Sequence, residues 1–218
     1  MAAKIEPVDF AIVGFGLAVS PLDEDREAIA LDMTRHGYGA DVMAKAMEVA
    51  DATAAILLSD FREGYDQLEA VRRKYENEPW FKYVHGDITF ALLEMSQAQL
   101  RERGPELLPH VPMQYDPMPV LRNLDVPQLW ILAADDTDAP SAETARRLRA
   151  LAAEGKPIVT AVFPHTDHGI YEYETKADGT RVSTRNPDGY FAMMRDFIRT
   201  GRIGESYGTS MIFHSSHD

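Results

Sequence analysis

The sequence predicts an α/β protein: a short parallel sheet interrupted by a long helical insertion. The first observation is a pair of apolar runs, residues 127–134 and 158–163, that flank an amphipathic stretch at 141–154. Strand, helix, strand in that order is the βαβ unit of a parallel sheet. The second is another apolar run at residues 8–19, separated from the first two by about a hundred residues of helical periodicity.

The run at residues 8–19 is apolar and β-branched, is broken by Gly14 and Gly16, and ends at Ser20-Pro21. A solvent-facing strand would alternate apolar and polar residues, and this run does not. It therefore predicts a buried strand that leads into a loop.

Residues 22–108 show helical spacing throughout. Acidic residues follow Pro21, where they suit the positive end of a helix dipole, and Ile29 and Met33 recur on one face. Further helices are predicted over residues 65–75 and 89–103, so this zone indicates a helical lid or insertion. Three aromatic residues between them indicate either a pocket lining or an ordinary packing cluster: Trp80, Phe81 and Tyr83.

In the last part of the chain, one strand ends in Asp135 and Asp136, and the next ends in a turn that contains His165 and His168. The helix between them stops at Gly155, and a final helix is predicted over residues 190–199. From residue 201 onward the sequence predicts a polar, frayed tail.

Composition excludes several function classes. The formal net charge of −13 and the acidic pI of about 4.9 argue against nucleic acid or an anionic membrane as a partner. Without cysteine there is no disulfide scaffold, thiolate zinc site or cysteine nucleophile. No apolar run approaches the roughly 20 residues of a membrane-spanning helix, and no phosphate-binding motif occurs, so no cofactor is predicted. The N-terminal residues do not form a signal peptide, and the default expectation is a cytoplasmic protein, unless a leader lies upstream of Met1.

The acidic residues and His168 follow neighbouring strands of the predicted sheet. The carboxyl ends of parallel strands meet at one edge, where ligands and catalytic groups gather. A carboxylate there can accept a hydrogen bond from one histidine nitrogen while the other nitrogen takes a proton from a nucleophile. The sequence therefore predicts an acid–base pair at this edge.

The segments Y-D-P at 115–117, V-P-Q-L-W-I-L-A-A-D-D-T-D-A-P at 126–140 and F-P-H-T-D-H-G at 163–169 resemble the C-terminal part of the α/β-hydrolase superfamily. The resemblance implies that Asp136, four residues before Pro140, is the triad acid and that His168 is the base. It also implies an incomplete hydrolase fold with about three parallel strands. In it, residues 1–21 and 109–200 form a partial core, 22–108 a helical lid, and 201–218 a polar tail.

The family carries its nucleophile on a G-x-S-x-G turn, and no such motif occurs in this sequence. We therefore expect the C-terminal half of a serine hydrolase, inactive alone, whose serine would precede Met1. The complete protein would cleave a small acyl, ester or peptide substrate. The expected partners of the chain are a second copy or a complementing N-terminal half.

Other interpretations of these residues remain open. Asp136 and Asp138 would also suit helix capping, and Asp135 would replace Asp136 as the acid after a one-residue shift of the turn. His168 would have a structural role, or would pair with His165 at a metal site. Ser20 follows a strand as a nucleophile would, yet Ser-Pro is ordinary turn chemistry.

Two alternative functions also remain. One is a non-catalytic binding or assembly module, in which the lid helices and an unpaired sheet edge serve a partner chain, as in half of a two-chain hydrolase. The other is a stand-alone flavodoxin-like domain, which needs more strands than this sequence supplies.

Overall fold

The structure is a computed structural model that describes residues 7–107 and 111–214. The chain divides into two compact units. One comprises residues up to 19 together with those from 116 onward, and the other runs from Ser20 to Tyr115.

Besides a 3₁₀-helix at Phe81–Tyr83, the described residues form, in order, eight α-helices and seven strands. They are β1 (Ala11–Gly14), α1 (Pro21–Arg35), α2 (Ala40–Leu58), α3 (Tyr65–Tyr75), α4 (Asp87–Leu93), α5 (Gln97–Leu107), α6 (Met118–Asn123), β2 (Gln128–Ala133), α7 (Ala142–Ala153), β3 (Ile158–Phe163), β4 (Thr166–Asp167), β5 (Tyr171–Thr175), β6 (Arg181–Ser183), α8 (Tyr190–Thr200) and β7 (Met211–Phe213).

The first unit is built on a four-stranded, mostly parallel sheet in the order β1-β2-β3-β7. Strand β2 pairs in parallel with β1 and β3, so that Ile131 lies beside Gly14 on one side and Ala161 on the other. The general α/β prediction is confirmed. All six residues of β2 are buried, which explains why its sequence is continuously apolar rather than alternating.

Helices cover both faces of this sheet. Trp130 and Leu132 of β2 pack with α6 and α7, whereas Leu129 and Ile131 pack with α8. Successive side chains of a strand point to opposite faces, so one central strand supplies both halves of the core. The carboxyl ends of the parallel strands thereby emerge together at one edge.

The prediction of a polar, frayed tail from residue 201 onward is wrong for residues 211–213, which form a strand. Strand β7 returns antiparallel to β3, with Ile212 beside Ala161. The guanidinium of Arg149 also lies 5.0 Å from the Phe213 ring centroid. Three residues are too few for periodicity to reveal a strand, and the tertiary partner decides its conformation. Residues 215–218 lie outside the described residues.

A second, smaller sheet follows β3 directly and was not predicted from the sequence. Strands β4, β5 and β6 form an antiparallel meander between the turn after β3 and α8. A signal for it exists in the sequence, because Y-E-Y-E-T at 171–175 alternates and Asp178-Gly179 is a hairpin dipeptide.

The second unit is helical in its described part. Ser20 caps α1 by accepting a hydrogen bond from the Asp23 amide at 3.1 Å. The helix predicted over residues 89–103 is instead two helices, α4 and α5. They are separated because Ser96 and Gln99 form reciprocal capping hydrogen bonds. Trp80 is buried and lies 5.1 Å from the ring of Tyr75, as in a packing cluster.

The start of α4 depends on a buried carboxylate. Asp25 of α1 accepts hydrogen bonds from the amides of Ile88 and Thr89 at 2.8 and 3.0 Å, and from the Thr89 hydroxyl at 2.6 Å. A Cβ on Gly86 would lie 2.4 Å from this carboxylate, so only glycine fits there. None of the helices in the described part of the chain is long and apolar enough to cross a membrane.

Candidate functional site

Asp136 lies in the loop that follows β2, at the carboxyl edge of the sheet. Its Oδ1 accepts hydrogen bonds from the amides of Asp138 at 3.1 Å and Ala139 at 2.8 Å. Only 2% of the side chain is exposed. Two backbone amides of its own loop therefore fix the orientation of this carboxylate.

His168 lies in the turn that follows β3, next to the short strand β4. This turn contains three residues with left-handed backbone: His165, Gly169 and Ile170. At Gly169 a Cβ would also lie within 3 Å of the Tyr171 ring, so glycine is required there. Thr166 anchors the turn by donating its hydroxyl hydrogen to the Phe163 carbonyl at 2.8 Å.

The structure brings Asp136 and His168 together. Nδ1 of His168 lies 3.1 Å from Oδ2 and 3.3 Å from Oδ1 of Asp136. Within the described part of the chain, the imidazole hydrogen bonds involve Nδ1 alone, and 41% of the His168 side chain is exposed. A buried carboxylate thus faces one nitrogen of the ring while the ring remains accessible from outside.

Two opposing effects act on the Asp136 carboxyl. Burial raises its pKa above the usual value, because the ionised form loses its hydration. The Ala139 amide and the charge of His168 oppose that rise without cancelling it. The amides of the same loop and His168 therefore favour the ionised form of Asp136 against the cost of burial.

Phe15, which was not assigned to the site from the sequence, places an aromatic ring beside His168. It follows β1, and its ring centroid lies 5.1 Å from that of His168 in an edge-on arrangement. Its φ of 44° is unusual for a residue with a side chain, and the side chain is exposed. Strained backbone of this kind concentrates at functional sites. The positive φ of Phe15 is therefore the structural feature that marks it as part of the site. The sequence offered no signal beyond the flanking glycines.

The other acidic residues of this edge have different partners. Asp135 accepts a hydrogen bond from the Tyr173 hydroxyl at 2.8 Å and does not contact His168. Asp138 is exposed, and helix α7 begins only at Ala142, after Ser141. Neither Asp136 nor Asp138 therefore caps that helix, and Asp136 is the carboxylate that faces the histidine.

His165 does not join His168 at a metal site. Its side chain is 92% exposed, and its Nδ1 lies 3.9 Å from the Asp135 carboxylate. Across residues 7–107 and 111–214, no group of three or more His, Cys, Asp or Glu side chains is arranged to hold a metal ion.

No serine of the described residues has its hydroxyl hydrogen-bonded to His168. Ser20 caps a helix, and Ser141 donates to the Ala133 carbonyl at 2.7 Å. Three more serines make local turn hydrogen bonds: Ser59, Ser96 and Ser210. Among the described residues the site therefore presents an acid and a base, and the hydroxyls of these five serines are bonded elsewhere.

Comparisons of the chain with protein-family models, curated proteins and solved structures give no match. The chemistry of the site consequently rests on its own geometry.

Proposed function

We propose that Asp136 and His168 are the acid and the base of a serine hydrolase of the α/β-hydrolase type. The proposed reaction is acyl transfer from an ester or a peptide bond to a serine hydroxyl, followed by hydrolysis of the acyl-enzyme. The observation that carries the proposal is the 3.1 Å contact between Nδ1 of an accessible histidine and a buried carboxylate. Both residues follow neighbouring parallel strands, as they do in that family.

In this mechanism Nε2 of His168 takes the proton of the serine hydroxyl as the serine attacks the carbonyl carbon. The same nitrogen then gives the proton to the leaving group. Asp136 accepts a hydrogen bond from Nδ1–H, which orients the ring and stabilises its cationic form. The two amides on Asp136 Oδ1 prevent the carboxylate from turning away.

The nucleophile belongs, on this proposal, to a serine that is not among these 218 residues. The absence of a G-x-S-x-G motif and the local hydrogen bonds of five described serines support this assignment. In the family arrangement, β1 is the strand before the insertion, and residues 22–108 are the lid.

The test uses the natural gene product, captured through an affinity tag at its C-terminus. The captured material is assayed with a series of acyl esters and peptide anilides, which separates esterase from peptidase activity. We expect hydrolysis that His168→Ala reduces by three or more powers of ten. His165→Ala changes an exposed histidine of the same turn and serves as the matched control.

Hydrolysis that His168→Ala leaves unchanged would contradict the assignment of the base. Captured material that holds a partner chain but cleaves none of these substrates would contradict hydrolysis and favour an assembly module instead.

A further inference from the structure

Asp167, the residue before His168, connects the two loops that carry the acid and the base. Its Oδ1 accepts a hydrogen bond from the His168 amide at 3.0 Å and from the Thr137 amide at 3.3 Å. His168 belongs to the loop after β3, and Thr137 directly follows Asp136 in the loop after β2. One carboxylate oxygen therefore holds both loops at a fixed separation.

The other oxygen of Asp167 is held by Arg181 from strand β6. Nη1 of Arg181 donates to Asp167 Oδ2 at 2.9 Å and to the carbonyl oxygen of Asp135 at 2.7 Å. A single guanidinium nitrogen thus bridges the same two loops a second time. Only 26% of the Arg181 side chain and 15% of the Asp167 side chain are exposed, so water competes weakly for these bonds.

Tyr173 of β5 holds the guanidinium in position. The carbon at the centre of the Arg181 guanidinium lies 4.1 Å from the Tyr173 ring centroid, and the Tyr173 hydroxyl donates to the Asp135 side chain. Burial raises the pKa of the Tyr173 hydroxyl, which therefore stays a hydrogen-bond donor at neutral pH. Asp167, Tyr173 and Arg181 belong to β4, β5 and β6 respectively, so the meander brings these three side chains together.

We propose that Arg181 is a positioning residue that sets the contact between Asp136 and His168 by bridging their loops through Asp167 and the Asp135 carbonyl. This inference rests on the proposed function, because the contact matters only if the pair acts as acid and base. Arg181 makes no contact with the imidazole and acts through Asp167.

The alternative is that Arg181 only stabilises the meander. The two roles differ in what they do to the ring of His168. Loss of a bridge lets the loops separate, so that the proton on Nδ1 loses its acceptor and exchanges with water. Loss of meander stability alone exposes the amides of β5 and β6 and leaves that proton protected.

The experiment measures, by NMR, the water exchange of the His168 Nδ1 proton in the full chain. We expect Arg181→Gln to accelerate this exchange by about tenfold or more. Arg181→Lys keeps the charge and one donor nitrogen, and we expect it to restore most of the protection. Arg185→Gln is the matched control, since Arg185 pairs with Glu172 and Asp188 beside the same meander and is exposed.

A second variant covers the case in which Arg181→Gln does not fold. Asp167→Asn keeps an oxygen for the two amides but weakens the bond to Arg181, and the same acceleration is expected. Unchanged Nδ1 exchange in these variants, with faster exchange only in the meander amides, would overturn the proposal.

Failure of the proposed function gives a different result. If Asp136→Asn leaves the Nδ1 proton unchanged, the acid–base pair fails. The bridge is then tested by the water exchange of the His168 and Thr137 amide protons. If Arg181 bridges the loops, Arg181→Gln accelerates the exchange of both.

Discussion

Replacement of Asp136 by asparagine is expected to move the ring proton of His168 from Nδ1 to Nε2. Oδ1 of the asparagine can still accept the amides of Asp138 and Ala139, as the carboxylate does at 3.1 and 2.8 Å. The amide nitrogen then occupies the place of Oδ2, 3.1 Å from Nδ1. An amide nitrogen only donates, so a proton on Nδ1 would face a donor at 3.1 Å and keep only the 3.3 Å contact to Oδ1. We therefore expect the tautomer that accepts at Nδ1 and carries its proton on Nε2 to predominate. A base in that form cannot take a proton through Nε2.

The stability change separates this effect from unfolding. Asp136→Ala leaves two amides of a buried loop without an acceptor and removes the contact to Nδ1. At about 1–3 kcal/mol for each unpaired buried group, we expect the two amides to cost roughly 2–6 kcal/mol. Asp136→Asn keeps the amide bonds and removes a carboxyl whose burial raises its pKa, and we expect a loss under about 1 kcal/mol.

The assay is a nitrogen–proton correlation spectrum of the histidine rings, which distinguishes the two tautomers, together with urea unfolding. Neutral His168 in the unmodified chain should carry its proton on Nδ1, and in Asp136→Asn on Nε2. The signals of His165 should not change. A Nδ1–H tautomer that persists in a folded Asp136→Asn variant would refute the role given to Asp136.

Three further outcomes follow from the charges and hydrogen bonds of the two units. His168→Ala should raise the pKa of the Asp136 carboxyl further, because the charge of His168 lowers it, and a carbon-13 titration measures this. Hydrogen bonds to two arginines of its own helix hold the pKa of Glu143 at about 2. Glu143→Gln should therefore destabilise the protein by under about 1 kcal/mol at pH 7. Asp25→Ala removes the acceptor of three hydrogen bonds and should cost roughly 2–4 kcal/mol, measured by urea unfolding with Trp80 fluorescence.

The pH dependence of these effects has a definite sign. A carboxyl whose folded pKa is raised, such as Asp136, contributes stability that is complete below its unfolded pKa of about 3.9 and is lost as the pH rises through the folded value. His168→Ala should extend that loss to higher pH. Glu143 behaves oppositely, since its contribution is complete above its usual pKa and is lost as the pH falls through about 2.

Each of these expectations has a result that contradicts it. If the pKa of the Asp136 carboxyl falls or does not change in His168→Ala, the charge of His168 does not lower it. A difference between Glu143→Gln and the unmodified chain that is as large at pH 2 as at pH 7 would exclude the ion pairs as its cause. An Asp25→Ala variant as stable as the parent would mean that water replaces the lost carboxylate.

The strands of the parallel sheet were predictable because burial on both faces imposes a continuous apolar run. The sequence therefore located the ends of β2 and β3, and with them Asp136 and His168. The structure places these two side chains in contact, although a one-residue shift would have exchanged Asp136 for Asp135. That register depends on the amides of Asp138 and Ala139, which sequence patterns do not report.

Other features were missed because they depend on contacts between distant residues. Strand β7 has three residues and is defined by its pairing with β3. Arg181 lies 14 residues from Asp167, and an arginine in a polar stretch does not indicate which carboxylate it contacts. The break between α4 and α5 was accessible from sequence, since Ser96 and Gln99 have the spacing of a capping box.

The measurement that tests the central claim most directly is the position of a covalent fluorophosphonate adduct. The tagged natural gene product is treated with the reagent, and the modified residue is located by mass spectrometry. We expect the adduct on a serine within a G-x-S-x-G motif outside these 218 residues, and its formation should require His168 but not His165. An adduct on any serine of the 218 residues, or one that forms equally well in His168→Ala, would contradict the account.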